Sequence, residues 1–140
     1  MINQELRVPL FNWKDEYSVH VPELDEHHKI LMEIINRIYD NCLQTDIVDC
    51  IGPKIKELID YSEYHFKAEE DYMRRIEYFE SEEHIEQHSM FIFKIRELQQ
   101  AYADNELELT KSLIVFLGKW LLHHVFEEDR KYALHALGDK

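Results

Sequence analysis

The chain has few of the residues that break helices: three glycines and three prolines in 140 residues. That scarcity excludes a turn-rich β sandwich or barrel. Cysteine is nearly as scarce. Cys42 and Cys50 are the only two, too few for the disulfide framework of a small secreted domain, and two free thiols in a reducing cytosol are the expectation for them. Basic residues number 16 against 29 acidic ones, a formal net charge of −13. A surface of that sign argues against nucleic acid and anionic membranes as partners. Long apolar runs are missing too. The best candidate, Ser112 to Phe126, is broken by Gly118, Lys119, His123 and His124. It falls short of the roughly 18 residues that mark a spanning helix. Residues 1–10 carry Glu5 and Arg7 and no apolar signal core, so a soluble, cytoplasmic protein is expected. No Gly-rich phosphate loop and no glycine-framed serine occur, and neither cysteine has an evident histidine partner, so nucleophilic catalysis has no visible machinery.

What the chain does have is apolar residues at helical spacing, 45% of the composition, enough for one domain with a real core. Residues 1–22 read as an arm bracketed by Pro9 and Pro22, with Phe11, Trp13 and Tyr17 placed to pack across the rest as a flap. Residues 23–140 read as a helical bundle. Leu24, His28, Leu31, Ile35 and Ile38 step by four and three, one face of a helix from about Pro22 to about Cys42. Ile55, Leu58, Ser62, His65, Glu69, Tyr72 and Ile76 mark a second, beginning between Asp46 and Gly52 and ending near Arg75, with Pro53 either kinking it or sitting in its first turn. Ser81 is the expected N-cap of a third, whose stripe is His84, His88, Phe91, Ile95, Leu98 and Tyr102. Asn105 and Glu108 suggest a capping box for a fourth, with Leu109, Leu113, Phe116, Leu117, Trp120, Leu121, His124 and Val125 on its inner face. Four such helices with short connections predict an all-α, antiparallel up-down-up-down four-helix bundle.

Seven residues able to bind metal fall in or beside these stripes: His28, His65, Glu69, His84, His88, His124 and Asp129. In the up-down topology all of them meet at one end of the bundle. His65 and Glu69, and likewise His84 and His88, are four apart, so each pair shares a face. His124 and Asp129 are five apart, which leaves them about 140° apart on a regular helix. Glu128 has the regular spacing; a single π-type turn would bring in Asp129 instead. Spacing leaves both open. Five imidazoles and two carboxylates suit a pair of redox metals better than a lone structural zinc. His20, His27, His123 and His135 lie off the stripes, and the expectation for them is the surface or, for His27 and His123, a supporting role beside a ligand.

These stretches together resemble the hemerythrin family, in its short single-domain bacterial form. The matching residues are Trp13 with Tyr17, then Leu24-Asp25-Glu26-His27-His28-Lys29, and His65-Phe66 with Glu69-Glu70 and Met73. His84, His88 and Phe91 follow, then Trp120-Leu121, His124-Val125, Asp129 and Tyr132. The resemblance implies two iron ions (Fe2+/Fe3+) with an oxo or hydroxo bridge. His84, His88 and His124 would hold one, His28 and His65 the other, and Glu69 and Asp129 both. It also implies an O2 pocket lined by Phe66, Trp120, Leu121 and Val125. The implied function is reversible O2 binding in a carrier, store or delivery protein, not an enzyme. An oxygen or redox sensor and a di-iron oxidase or peroxidase are the alternatives. The expected partner is O2, with an oxygen-consuming enzyme or a signalling protein as recipient, and the expected state is a monomer or weak oligomer. Two positions depart from the family pattern: His27, where Gln is usual, and His20, where Gly is common.

Overall fold

The computed structural model describes residues 10–43 and 51–138. Its helices are α1 (Pro22–Leu43), α2 (Ile51–Arg75), α3 (Ser81–Ala101), α4 (Glu106–His123) and α5 (Asp129–Ala136), with a short 3-10 turn at Asp15–Tyr17 before them. Between α4 and α5 the chain stays helical but widens into a π turn, His124–Glu128. Helix α1 packs on α2 and α4, and α3 packs on the same two. Four rods thus form a ring, the expected antiparallel bundle.

The predicted stripes form the core. Leu24, Leu31, Ile35 and Ile38 of α1, Ile55 and Leu58 of α2, and Ile95 of α3 are all buried, as are Leu113, Leu117 and Leu121 of α4. Two apolar clusters result. The larger runs from Ile38, Ile55 and Leu113 to Phe66, Phe91 and Val125. The smaller gathers Val19, Leu24, Met73, Tyr78, Tyr132 and Ala133 at the other end. On α1, His28 falls between a residue of each cluster; so does Glu69 on α2. The polar residues of interest are therefore sandwiched between two layers of hydrocarbon, where an unpaired charge is costly.

Pro53 lies in the first turn of α2 and continues it, as the missing N–H of proline permits there. A start of α2 at Asp46, and Cys50 with the free-thiol expectation for it, fall outside the described residues. Ser81 is not the cap of α3 but its first residue; Glu80 holds the cap position and makes no side-chain cap bond. The Glu80 carboxylate instead accepts from the Tyr78 hydroxyl at 3.0 Å. Asn105 does cap α4, its Oδ1 accepting from the Glu108 N–H at 3.2 Å.

The described part of the arm lies along α1. Phe11 and Asn36 exchange two hydrogen bonds, Phe11 N–H to Asn36 Oδ1 at 2.8 Å and Asn36 Nδ2 to Phe11 O at 2.9 Å. Phe11 is buried, and Trp13 and Tyr17 pack against the larger cluster, with Lys29 Nζ 5.0 Å from the centre of the Trp13 ring. Asp25 fastens the end of the arm, accepting from Ser18 Oγ at 2.6 Å and from Val19 N–H at 2.9 Å. The turn between them places His20 at φ +62°, a left-handed conformation that costs a side chain with a Cβ roughly 1 kcal/mol. His20→Gly is therefore expected to stabilise the metal-free protein by up to about 1 kcal/mol in denaturant unfolding.

Candidate metal centre

Each element delivers its side chains to one point for a local reason. The i,i+4 step on α2 stacks His65 over Glu69, and the same step on α3 stacks His84 over His88. On α4 the π turn does the work: the Asp129 N–H bonds back to His124 O, five residues earlier. One wide turn thus replaces the regular one, and Asp129 comes under His124 at the bundle interior while Glu128 turns outward. All seven residues are buried: His28, Glu69 and Asp129 at 0%, His65 at 1%, His84 and His124 at 2%, His88 at 3%.

The two carboxylates divide the imidazoles between their oxygens. Glu69 Oε1 stands 2.8 Å from both His84 Nε2 and His88 Nε2 and 3.6 Å from His124 Nε2. Its Oε2 stands 3.2 Å from His65 Nε2 and 3.5 Å from His28 Nε2. Asp129 repeats the pattern. Its Oδ1 is 2.9 Å from His84 Nε2 and 3.0 Å from His124 Nε2, and its Oδ2 is 3.1 Å from His28 Nε2. Three imidazoles share one side and two the other, with a carboxylate oxygen offered to each.

The donor chemistry fits cations. Two sets of ligand atoms lie close enough to hold an ion each: Glu69, His84, His88 and His124, and His28, His65, Glu69 and Asp129. Protein partners alone leave the cluster unsatisfied. Among the described residues neither His28 nitrogen and neither Asp129 oxygen has a partner in hydrogen-bonding geometry despite full burial, and His88 Nε2 faces His124 Nε2 at 3.1 Å. Buried polar atoms are seldom left this way, and a divalent cation in each set would satisfy all of these except His28 Nδ1.

Titration of the metal-free site follows from the same contacts. Burial alone would lower the His28 imidazole, but Asp129 and Glu69 beside it raise its pKa to about 9. The same balance raises His84 to about 10. At His65 burial outweighs Glu69 and lowers the pKa to about 4. Burial would raise the Glu69 and Asp129 carboxyls, yet the imidazoles around them hold both well below the carboxylate range. Asp129 and Glu69 also raise the His124 ring against the effect of burial, so these two carboxylates favour the protonated form of three imidazoles. Folded-state values above the unfolded value of about 6.5 mean that His28 and His84 stabilise fully below that pH and lose the contribution as pH rises through about 9 to 10. His65 acts oppositely, losing stability as pH falls from about 6.5 towards 4, and the carboxylates lose theirs in stronger acid. The melting temperature of the metal-free protein is accordingly expected to peak near pH ~6.5 and fall by pH 10; a flat or rising profile above pH 7 would contradict the balance described.

Around the seven residues lie supports whose contacts the sequence did not disclose. Tyr132, fully buried, donates to Glu69 Oε2 at 2.9 Å. Glu70 Oε2 meets His88 Nδ1 at 3.0 Å and Gln87 Oε1 meets His124 Nδ1 at 3.1 Å. Tyr132 and Glu70 stand among the residues that carry the resemblance, but their spacing assigns them no role, and Gln87 looks like an ordinary solvated side chain. Of the two places expected for His27, it takes the supporting one: it is only 6% exposed and its Nδ1 lies 3.1 Å from His65 Nδ1. His123 is exposed, paired with Glu127 at 3.0 Å, and away from the cluster. His135 reaches Ile76 O at 3.0 Å, and His20 is exposed on its turn.

The apolar lining is in contact. Phe66 stacks on His88 with ring centres 3.9 Å apart, and Trp120 stacks on His124 at 4.2 Å. Leu121 and Val125 are buried beside them.

Comparison with known proteins finds relatives along most of the chain. Residues 19–135 match the family described as hemerythrin HHE cation binding domain. A bacteriohemerythrin of Clostridium acetobutylicum is 33% identical over 127 residues, covering 88% of this chain and 98% of the relative. A hemerythrin-like protein of Naegleria gruberi is 32% identical, covering 87% and 90%. A crystal structure of wild-type hemerythrin superposes with a TM-score of 0.78 at 27% identity, covering 89% of this chain and 95% of that one.

Proposed function

The chain belongs to the hemerythrin family, and from that premise we propose that it binds O2 reversibly, as a carrier, store or delivery protein, at a carboxylate-bridged pair of iron ions. In this reading His84, His88 and His124 would hold one ion and His28 and His65 the other, and Glu69 and Asp129, whose oxygens face both groups of imidazoles, would serve both. The observation that carries it is the division of the carboxylate oxygens between the two groups of imidazoles. When bound, the iron pair supplies the redox couple through which O2 is taken up and given back.

The chain's own residues set the terms. Five imidazoles against two carboxylates place little negative charge on the metals. Di-metal sites in bundles built mainly from glutamates supply more and stabilise high-valent iron better, so imidazole dominance favours reversible binding. The Tyr132 hydroxyl fixes the orientation of the Glu69 carboxylate. Glu70 and Gln87 hold the rings of His88 and His124 from behind, as such partners commonly do. Phe66 and Trp120 cover two imidazole faces with hydrocarbon and exclude water. Among the described residues no helix is long and apolar enough to cross a membrane. Metal analysis of the purified holoprotein tests the assignment: two irons per chain support it, whereas one ion per chain, or zinc that iron does not displace, opposes it.

A further inference from the structure

The two halves of the centre are not supported alike. Behind the three-histidine half, His88 Nδ1 meets the Glu70 carboxylate at 3.0 Å and His124 Nδ1 meets the Gln87 carbonyl at 3.1 Å. Behind the two-histidine half, among the described residues, His28 Nδ1 is buried with no hydrogen-bond partner and His65 Nδ1 meets another imidazole, His27 Nδ1, at 3.1 Å. That ring is held firmly. It stands edge-on to His65 with centres 5.2 Å apart and edge-on to Tyr61 at 5.9 Å, and is tilted against Tyr64 at 5.1 Å.

The chemistry of a neutral imidazole gives this contact a purpose. For His65 to hold a cation through Nε2, that nitrogen must present its lone pair, so the ring proton must sit on Nδ1. Two Nδ1 atoms in hydrogen-bond contact share one proton, and His27 Nδ1 is the lone pair that receives it. A carboxylate acceptor would draw on that N–H more strongly and make the ring a better donor to metal. An uncharged ring does so less.

On the two-ion reading given above, we propose that His27 is the positioning residue of the two-histidine half, fixing His65 with its Nε2 lone pair towards Glu69, and that its lack of charge makes this half the first to give up its ion. The three-histidine half, backed by Glu70, retains its ion longer.

The test is release of iron from the intact holoprotein to excess chelator, followed by the absorbance of the iron chelate. The parent is expected to release iron in two phases of equal amplitude. His27→Phe, which removes the acceptor, should speed the fast phase about tenfold and leave the slow one unchanged. His27→Gln, whose amide carbonyl can accept, should restore the parental rate. Glu70→Gln should speed the slow phase alone. In the zinc-loaded protein the Nδ1–H proton of His65 should be visible by NMR in the parent and in His27→Gln, and lost to exchange in His27→Phe, a change that a packing role would not produce. A single release phase, a His27→Phe variant that alters both phases equally, or failure of His27→Gln to rescue would overturn the proposal. A parent that never holds two irons would instead overturn the reading on which it rests.

Discussion

Glu69→Ala is expected to abolish the bound iron pair altogether. Among the described residues no other side chain touches both halves so fully. Its Oε1 lies within 2.8 Å of two imidazole nitrogens of one half and its Oε2 within 3.2 Å of His65 in the other. Truncation removes one oxygen from each metal set at once and leaves the Tyr132 hydroxyl without its acceptor. Five imidazoles would then face one carboxylate in a water-free interior, where uncompensated positive charge is costly. The iron content should fall from about two per chain to near none. Circular dichroism should show the helices retained, because the larger apolar cluster is untouched. The metal-free variant should be less stable than the metal-free parent by a few kcal/mol, the usual penalty for breaking a buried charge cluster. Full iron retention in Glu69→Ala would overturn the assignment.

Asp129→Ala and Glu128→Ala are expected to differ completely. Asp129 is fully buried with an oxygen turned to each half, so its loss should remove the pair as Glu69→Ala does. Glu128 sits on the outer side of the π turn, its carboxylate 3.3 Å from Lys131 Nζ and 3.5 Å from His123 Nε2. Both partners are more than half exposed, so the pairing is worth about 0–1 kcal/mol, and Glu128→Ala should keep its full complement of iron. The comparison reads the backbone register directly. A regular α-helix would put Glu128 inside and Asp129 at the edge, so loss of iron in Glu128→Ala with retention in Asp129→Ala would mean that the π turn is absent in solution. The metal assay separates the two registers because only one of them leaves the interior carboxylate in place.

How much of this was legible in the sequence follows from what side-chain pattern can encode. Periodicity reports which residues face inward, so Leu24, His28, Leu31 and Ile35, or His84, His88, Phe91 and Ile95, disclosed their helices and their shared face. Short connections then fixed the antiparallel order, and that order brought the seven candidates to one end. The π turn was not legible in the same way. It is a shift in backbone hydrogen bonding that leaves the apolar stripe through Leu121 and Val125 intact, and its only trace was the awkward interval from His124 to Asp129. Resemblance, rather than spacing, chose Asp129. The sequence left His27 open between the surface and a supporting place for another reason. One residue from His28 it lies about 100° around the helix, off the stripe of α1, and it is buried against Tyr61, Tyr64 and His65 of the neighbouring helix. Which side chain closes a seam between two helices depends on their relative rotation, and one helix's periodicity does not specify that. The cap of α3 failed similarly: serine favours the cap position in general, but the turn after Glu77, at φ +54°, shifts the helix start so that Ser81 falls one residue inside.

The most direct measurement is the visible spectrum of the ferrous protein, recorded without oxygen, then in air, then after oxygen is withdrawn. A buried iron pair in a site dominated by neutral imidazoles should show an absorption band that appears with air and disappears on deoxygenation through repeated cycles. Conversion on the first exposure to a ferric spectrum that no longer responds to removal of oxygen would contradict reversible binding.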